Sequence, residues 1–163
     1  MGKNYILNGA ASQYVGTNKI LITTGSNSYD ADIINGMICH TGNTNDQELS
    51  GRGYFLPVVM QSLQDEGYTK LKIAAGISGY GIPGADPEHL FDGVLQVYLY
   101  ATNSPTYSFV LNGSDFHEAN DLTENPPIEI YEINLSNYQS YIPSYLFLGF
   151  VVGTSHIQKI WFE

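Results

Sequence analysis

Short apolar runs alternate along this chain with stretches rich in Gly, Asn, Ser and Pro. That rhythm belongs to a chain of strands and turns. The clearest run is Val94 to Ala101, where Val97, Leu99 and Ala101 fall on one face and Tyr98 and Tyr100 on the other. Such a split follows from the two-residue repeat of a strand. Asn103-Ser104-Pro105 then makes a tight turn into Tyr107 to Leu111, which predicts a hairpin. Thr69 to Ala75 alternates Leu71 and Ile73 with Lys70 and Lys72, as a half-buried strand does. Further strands are predicted at Asn4 to Leu7, Lys19 to Thr24, Gly36 to Thr41, Ile128 to Leu135, Leu146 to Val152 and Ile157 to Phe162. The second of these ends at Gly25-Ser26-Asn27. Tyr54 to Leu63 contains the continuous apolar run Val58-Val59-Met60, to which periodicity assigns no single structure. It is read as a strand that turns at Gln64-Asp65-Glu66-Gly67.

Three stretches break the pattern. Gly42 to Gly51 is a polar loop. Gly76 to Gly93 carries Gly79-Tyr80-Gly81-Ile82-Pro83-Gly84 and then Asp86-Pro87-Glu88-His89. Asn112 to Pro127 is acidic, with Asp115, Glu118, Asp121 and Glu124 in close succession. Long irregular segments inside compact domains are commonly functional or mobile. The total is about nine or ten short strands and almost no helix, which predicts an all-β fold, a β-sandwich of the jelly-roll kind.

Composition supports this. The 163 residues suit one domain spanning 1–163. Charged residues make up only 13%, about half the usual share, and helix surfaces are normally paved with them. Thirteen Tyr and seven Phe favour strands. The net charge is −10, and the six basic residues Lys3, Lys19, Arg52, Lys70, Lys72 and Lys159 are scattered along the chain. Nucleic acid needs a clustered basic face, and an anionic membrane surface asks for the same. Both are therefore excluded as expected partners, and neutral ligands, sugars first, fit better.

Cys39 is the single cysteine, so no internal disulfide forms. His40 follows it directly, but neighbours in a strand point to opposite faces, which works against a nucleophile–base pair. The first residues, Met1-Gly2-Lys3-Asn4-Tyr5-Ile6, lack an apolar signal core and the myristoylation pattern. Tyr145 to Val152, the longest apolar run, is too short to cross a bilayer, so no membrane insertion is expected. An abrupt entry into a first strand suits a fragment of a longer protein.

The last third of the chain carries a familiar cadence. Glu132-Ile133-Asn134-Leu135-Ser136-Asn137-Tyr138 precedes Tyr145-Leu146-Phe147-Leu148-Gly149-Phe150 and then His156-Ile157-Gln158-Lys159-Ile160-Trp161-Phe162. This resembles the closing strands of jelly-roll carbohydrate-binding modules and galactose-binding-like domains. It departs from their pattern at Asn134, where Asp is usual. Gly67-Tyr68-Thr69-Lys70-Leu71-Lys72-Ile73 resembles a strand opening in jelly-roll domains of phage fibres and other virion appendages. These motifs reflect strand and turn requirements, so they speak to fold more than to function. The resemblance implies a non-catalytic receptor- or glycan-binding domain on a virion surface or otherwise extracellular, displayed as a homotrimer. A carbohydrate-binding module from a secreted bacterial enzyme is the second reading. A structural decoration domain without a small ligand, its exposed aromatics at subunit contacts, is the third.

Sugar recognition needs flat apolar rings beside amides and carboxylates. The candidate ligand-binding residues are Tyr80 and His89 in one irregular segment, Asp115 and Asp121 in the other, and the strand pair Tyr98 and Tyr100. Single strand tyrosines also serve simply to cover a sheet with the hydroxyl in water. No cofactor is expected. Asn43 to Glu48 and Asp30-Ala31-Asp32 offer oxygens that would suit a structural calcium, without the complete EF-hand spacing. His40, His89, His117 and His156 are too far apart in sequence for a zinc motif. No serine sits in a nucleophile elbow. A carboxylate pair for glycoside hydrolysis could lie anywhere among the sixteen acids; Asp115 and Glu118 share a loop and could reach one ligand, although acidic loop residues commonly just keep a domain soluble.

Overall fold

The computed structural model describes residues 3–6, 19–24, 27–34, 37–42, 53–57, 61–81, 90–101, 106–117, 122–123 and 125–163. It is all-β. The strands are β1 (Lys3–Ile6), β2 (Lys19–Thr24), β3 (Asn27–Ile34), β4 (Met37–Gly42), β5 (Gly53–Pro57), β6 (Lys70–Ser78), β7 (Val94–Ala101), β8 (Tyr107–Asn112), β9 (Glu129–Asn134) and β10 (Pro143–Phe162). Among the described residues every strand pairing is antiparallel.

β10 is common to both layers. Its first half pairs with β7 from Pro143 to Val152 and with β5 from Tyr145 to Gly149. Its second half pairs with β6 from Thr154 to Phe162, with β4 from Gly153 to Ile157, and with β1 at its end. The change of partner falls at Gly153, whose φ is +76°. A Cβ there would lie 1.8 Å from the Ser78 carbonyl oxygen, so only glycine lets β10 turn against β6. Two separate strands are expected from the sequence here. One continuous strand with a glycine bend replaces them.

β8 and β7 extend the first layer and β9 extends the second, next to β6. Leu95, Val97 and Leu99 of β7 and Leu146 and Leu148 of β10 are fully buried against Leu71, Ile73, Ala75 and Ile77 of β6 and Ile157, Ile160 and Phe162 of β10. These residues follow the alternation of their strands except between Ile157 and Ile160, where an irregularity in the β10–β6 register lets both face the core, and in this way two half-apolar sheets bury a shared core. At one end Tyr107 packs on Tyr138 and Tyr141, with ring centroids 4.1 Å and 4.8 Å away. The Tyr141 hydroxyl, buried, donates to the Leu99 carbonyl.

Two local differences from the sequence reading have clear causes. The stretch assigned to the end of a strand before Gly67 is a one-turn helix, α1 (Leu63–Glu66). Ser62 caps it by accepting from the Asp65 backbone N–H at 3.1 Å, and Gly67 closes it in the left-handed conformation. Leu63 is fully buried and anchors the turn to the core. β3, unrecognised in the sequence, follows β2 in the chain and pairs with it from Asn27 to Asp32. Its Asn-Ser-Tyr-Asp-Ala-Asp opening is polar, so hydrophobic pattern gives no signal for it. The polar loop from 43 to 51 lies outside the described residues.

Candidate functional site

The outer face of the first layer holds an aromatic surface. Leu95, Val97 and Leu99 point inward, so Gln96, Tyr98 and Tyr100 point out. The ladder sets Tyr98 opposite Phe147 and Gln96 opposite Gly149 on β10. Tyr98 and Tyr100 lie side by side, centroids 6.5 Å apart and planes 30° from parallel. Phe147 flanks Tyr98 from the other side at 5.6 Å and 58°. Gly149 makes room for the Tyr98 ring, because a Cβ there would meet Tyr98 Cε2 at 3.2 Å. The Tyr98 hydroxyl donates to Gln96 Oε1. Burial and the adjacent Tyr100 push the Tyr98 phenol above its ordinary value, so it stays a neutral donor. In the strand ladder Phe147 is registered opposite Phe55 of β5 and Tyr98 opposite Ser108 of β8.

A second concavity, a groove of about 560 Å³, opens between β8 and β9. Ser108 to Leu111 form one wall, Tyr131 to Asn134 the other, and Asp115 and Phe116 lie across one end. Phe116 meets Tyr131 edge-on at 4.8 Å. Burial pushes the Tyr131 phenol well up, helped by the negative charges of Asp115, Glu129 and Asp92. Asp92 holds the turn that carries Asp115 by accepting from the Ser114 N–H at 3.1 Å and the Ser114 hydroxyl at 2.5 Å.

The structure therefore separates the sequence candidates. Tyr98 and Tyr100 share the platform. Asp115 lies in the groove. Tyr80 is elsewhere, half-buried just beyond β6, where its backbone bridges Phe91 through bonds of 2.9 Å and 2.8 Å. His89, Asp121 and Glu118 lie outside the described residues, as does the oxygen-rich stretch Asn43 to Glu48. Asp30-Ala31-Asp32 is the middle of β3, paired with β2. Among the described residues no three His, Cys, Asp or Glu side chains gather as a metal site. Phe147, Gln96 and Gly149 escaped sequence reasoning. The alternation of Leu146, Phe147 and Leu148 could have put Phe147 on an outer face, but only register puts it beside Tyr98.

Register also brings Cys39 opposite His156, whereas His40 faces Ser155. Cys39 is buried, and burial lowers the half-buried His156 below its ordinary pKa. On the outer face of the second layer, Lys72 pairs with Glu163 and, at 3.7 Å, with Glu132, while Lys70 reaches Glu132 at 3.0 Å. Trp161 is half-buried in the closing strand with the Lys159 ammonium 4.5 Å from its ring centre. No helix among the described residues is long and apolar enough to cross a membrane.

No protein-family model matches this chain, and no curated protein does. Among solved structures, it is similar to the apo form of CBM1 of BiXyn10A, at 13% identity and a TM-score of 0.45, covering 99% of this chain and 88% of that one. It is also similar to the enzymatically active domain of tailspike protein 4 of bacteriophage CBA120, at 11% identity and a TM-score of 0.41. That alignment covers 98% of this chain and 21% of the tailspike chain. At such TM-scores neither likeness bears on this chain's chemistry.

Proposed function

We propose that this chain is a non-catalytic glycan-binding domain of jelly-roll type, and that it holds sugar on the Tyr98–Tyr100–Phe147 platform. The observation that carries this is the arrangement of Tyr98. Its ring lies over Gly149, between two further rings, with the Gln96 amide at its hydroxyl. Flat adjoining rings offer apolar area to sugar C–H faces, and the amide and phenol give directional partners for hydroxyls. Gln96, Tyr98, Tyr100, Phe147 and Gly149 include no carboxylate, imidazole or thiol, which supports binding rather than catalysis. Display as a homotrimer on a virion surface, facing a cell-surface glycan or protein receptor, rests on the phage-fibre cadence of the sequence.

The test is a glycan-array screen followed by titration of the best ligand. Loss of one stacking ring removes about 0.5–1.5 kcal/mol. Tyr98→Ala is therefore expected to weaken binding by at least about two- to tenfold. A ligand whose affinity is unchanged in Tyr98→Ala and in Tyr100→Ala sits elsewhere, and the platform reading falls. Light scattering on the same sample reads the trimer directly.

A further inference from the structure

We infer that the groove between β8 and β9 takes an extended, basic segment of another protein as an added strand. The first observation is topological. Among the described residues β8 pairs only with β7 and β9 only with β6, so each presents one open edge, and the groove runs between them. Open edges carry unpaired backbone donors and acceptors and are templates for strand addition.

The second observation is where apolar surface is left in water. Among the described residues the large exposed apolar side chains are Val110 at 51%, Phe116 at 45% and Ile130 at 55%. Val110 on β8 and Phe116 line the groove, while Ile130 on β9 lies on the outer face of its own layer, beside Glu132. Val110 and Phe116 thus leave apolar surface exposed in the groove lining itself, and apolar surface exposed beside open polar edges marks an interaction site.

Charge chooses the occupant. Among the described residues the groove lining contains Asp115 and Glu132 and no Lys, Arg or His. Glu132 already has Lys70 and Lys72 beside it, whereas Asp115, like Asp92 and Glu129, adds to the negative field that raises the Tyr131 pKa. A strand that alternates apolar and basic residues would set its apolar side chains on Val110 and Phe116 and its cations by Asp115. A second copy of this chain brings the same carboxylates and a net charge of −10, so it is repelled.

The experiment is fluorescence anisotropy with the full chain at low salt, using short labelled peptides of alternating valine and lysine or valine and glutamate. The lysine peptide is expected to bind saturably, at least about tenfold more tightly than the glutamate peptide. Asp115→Asn, an exposed change that does not threaten folding, should narrow that ratio, and Val110→Lys should abolish binding of the lysine peptide. Equal affinity for the two peptides, or binding indifferent to both substitutions, overturns the proposal. So does a concentration-dependent dimer that Val110→Lys dissolves, which would put a second copy on the edge. Displacement of the peptide by an array-positive glycan would assign the groove to sugar and overturn it as well. Glycan displacement aside, a failure here leaves the platform reading untouched, since that reading is tested separately by glycan affinity in the Tyr98 variant.

Discussion

Gly153→Ala and Gly67→Ala form a matched pair that isolates how β10 joins the two layers. Both glycines have φ of +76°. An L-residue in that region costs about 1–2 kcal/mol, and the stiffer unfolded chain returns about 0.4–1. At Gly67 nothing lies within 4 Å of the new methyl, so the loss should stay near 1 kcal/mol. At Gly153 the methyl would sit 1.8 Å from the Ser78 carbonyl oxygen, where real contacts essentially never fall below 3.0 Å. The Ser78 carbonyl cannot simply retreat, because a Cβ on Gly93 would already stand 2.2 Å from it. Forced overlap in packed structure adds about 1–3 kcal/mol. The total at Gly153 comes to about 3 kcal/mol, against about 1 at Gly67. At about 2–4 °C per kcal/mol for a chain of this size, the melting temperature should fall by about 6–12 °C in one and about 2–4 °C in the other. Urea and thermal unfolding, followed by circular dichroism, read both. Equal losses would refute the close approach at the β10 bend, and with it the continuity of the strand that carries Phe147 and Gly149.

Other outcomes follow from single groups. Burial lowers the His156 pKa below its ordinary 6.5, so the unfolded chain takes up that proton more readily than the folded one. The stability His156 contributes is complete above the unfolded pKa and is lost as pH falls through the folded one. The drop in unfolding midpoint on acidification from neutral pH should therefore be smaller in His156→Gln than in the parent. Tyr141→Phe removes the buried hydroxyl that donates to Leu99, and should cost about 0.5–1.5 kcal/mol in urea unfolding. An unchanged midpoint would mean that water or another donor serves the Leu99 carbonyl equally well.

Much was legible in local pattern. Period-two alternation from Val94 to Ala101 fixes which β7 side chains enter the core, so Tyr98 and Tyr100 follow onto one outer face. The turn residues Asn103-Ser104-Pro105 predicted a hairpin, and β7 and β8 pair antiparallel as neighbours. The helix α1 was legible in principle from Ser62, Asp65 and Gly67, but an apolar run just before it favoured the strand reading. The single cysteine excludes an internal disulfide from the sequence alone. Register, by contrast, is a property of two distant segments. Nothing near Tyr98 in sequence names Phe147 or Gly149, and nothing near Cys39 names His156. The bend at Gly153 depends on Ser78 and Gly93, and the groove exists because β8 and β9 end their layers without a further partner among the described residues. Side-chain direction within a strand is set by covalent geometry, so the sequence carries it. Which strands meet, and at what offset, is set by the burial of a common core, and only the folded chain decides that.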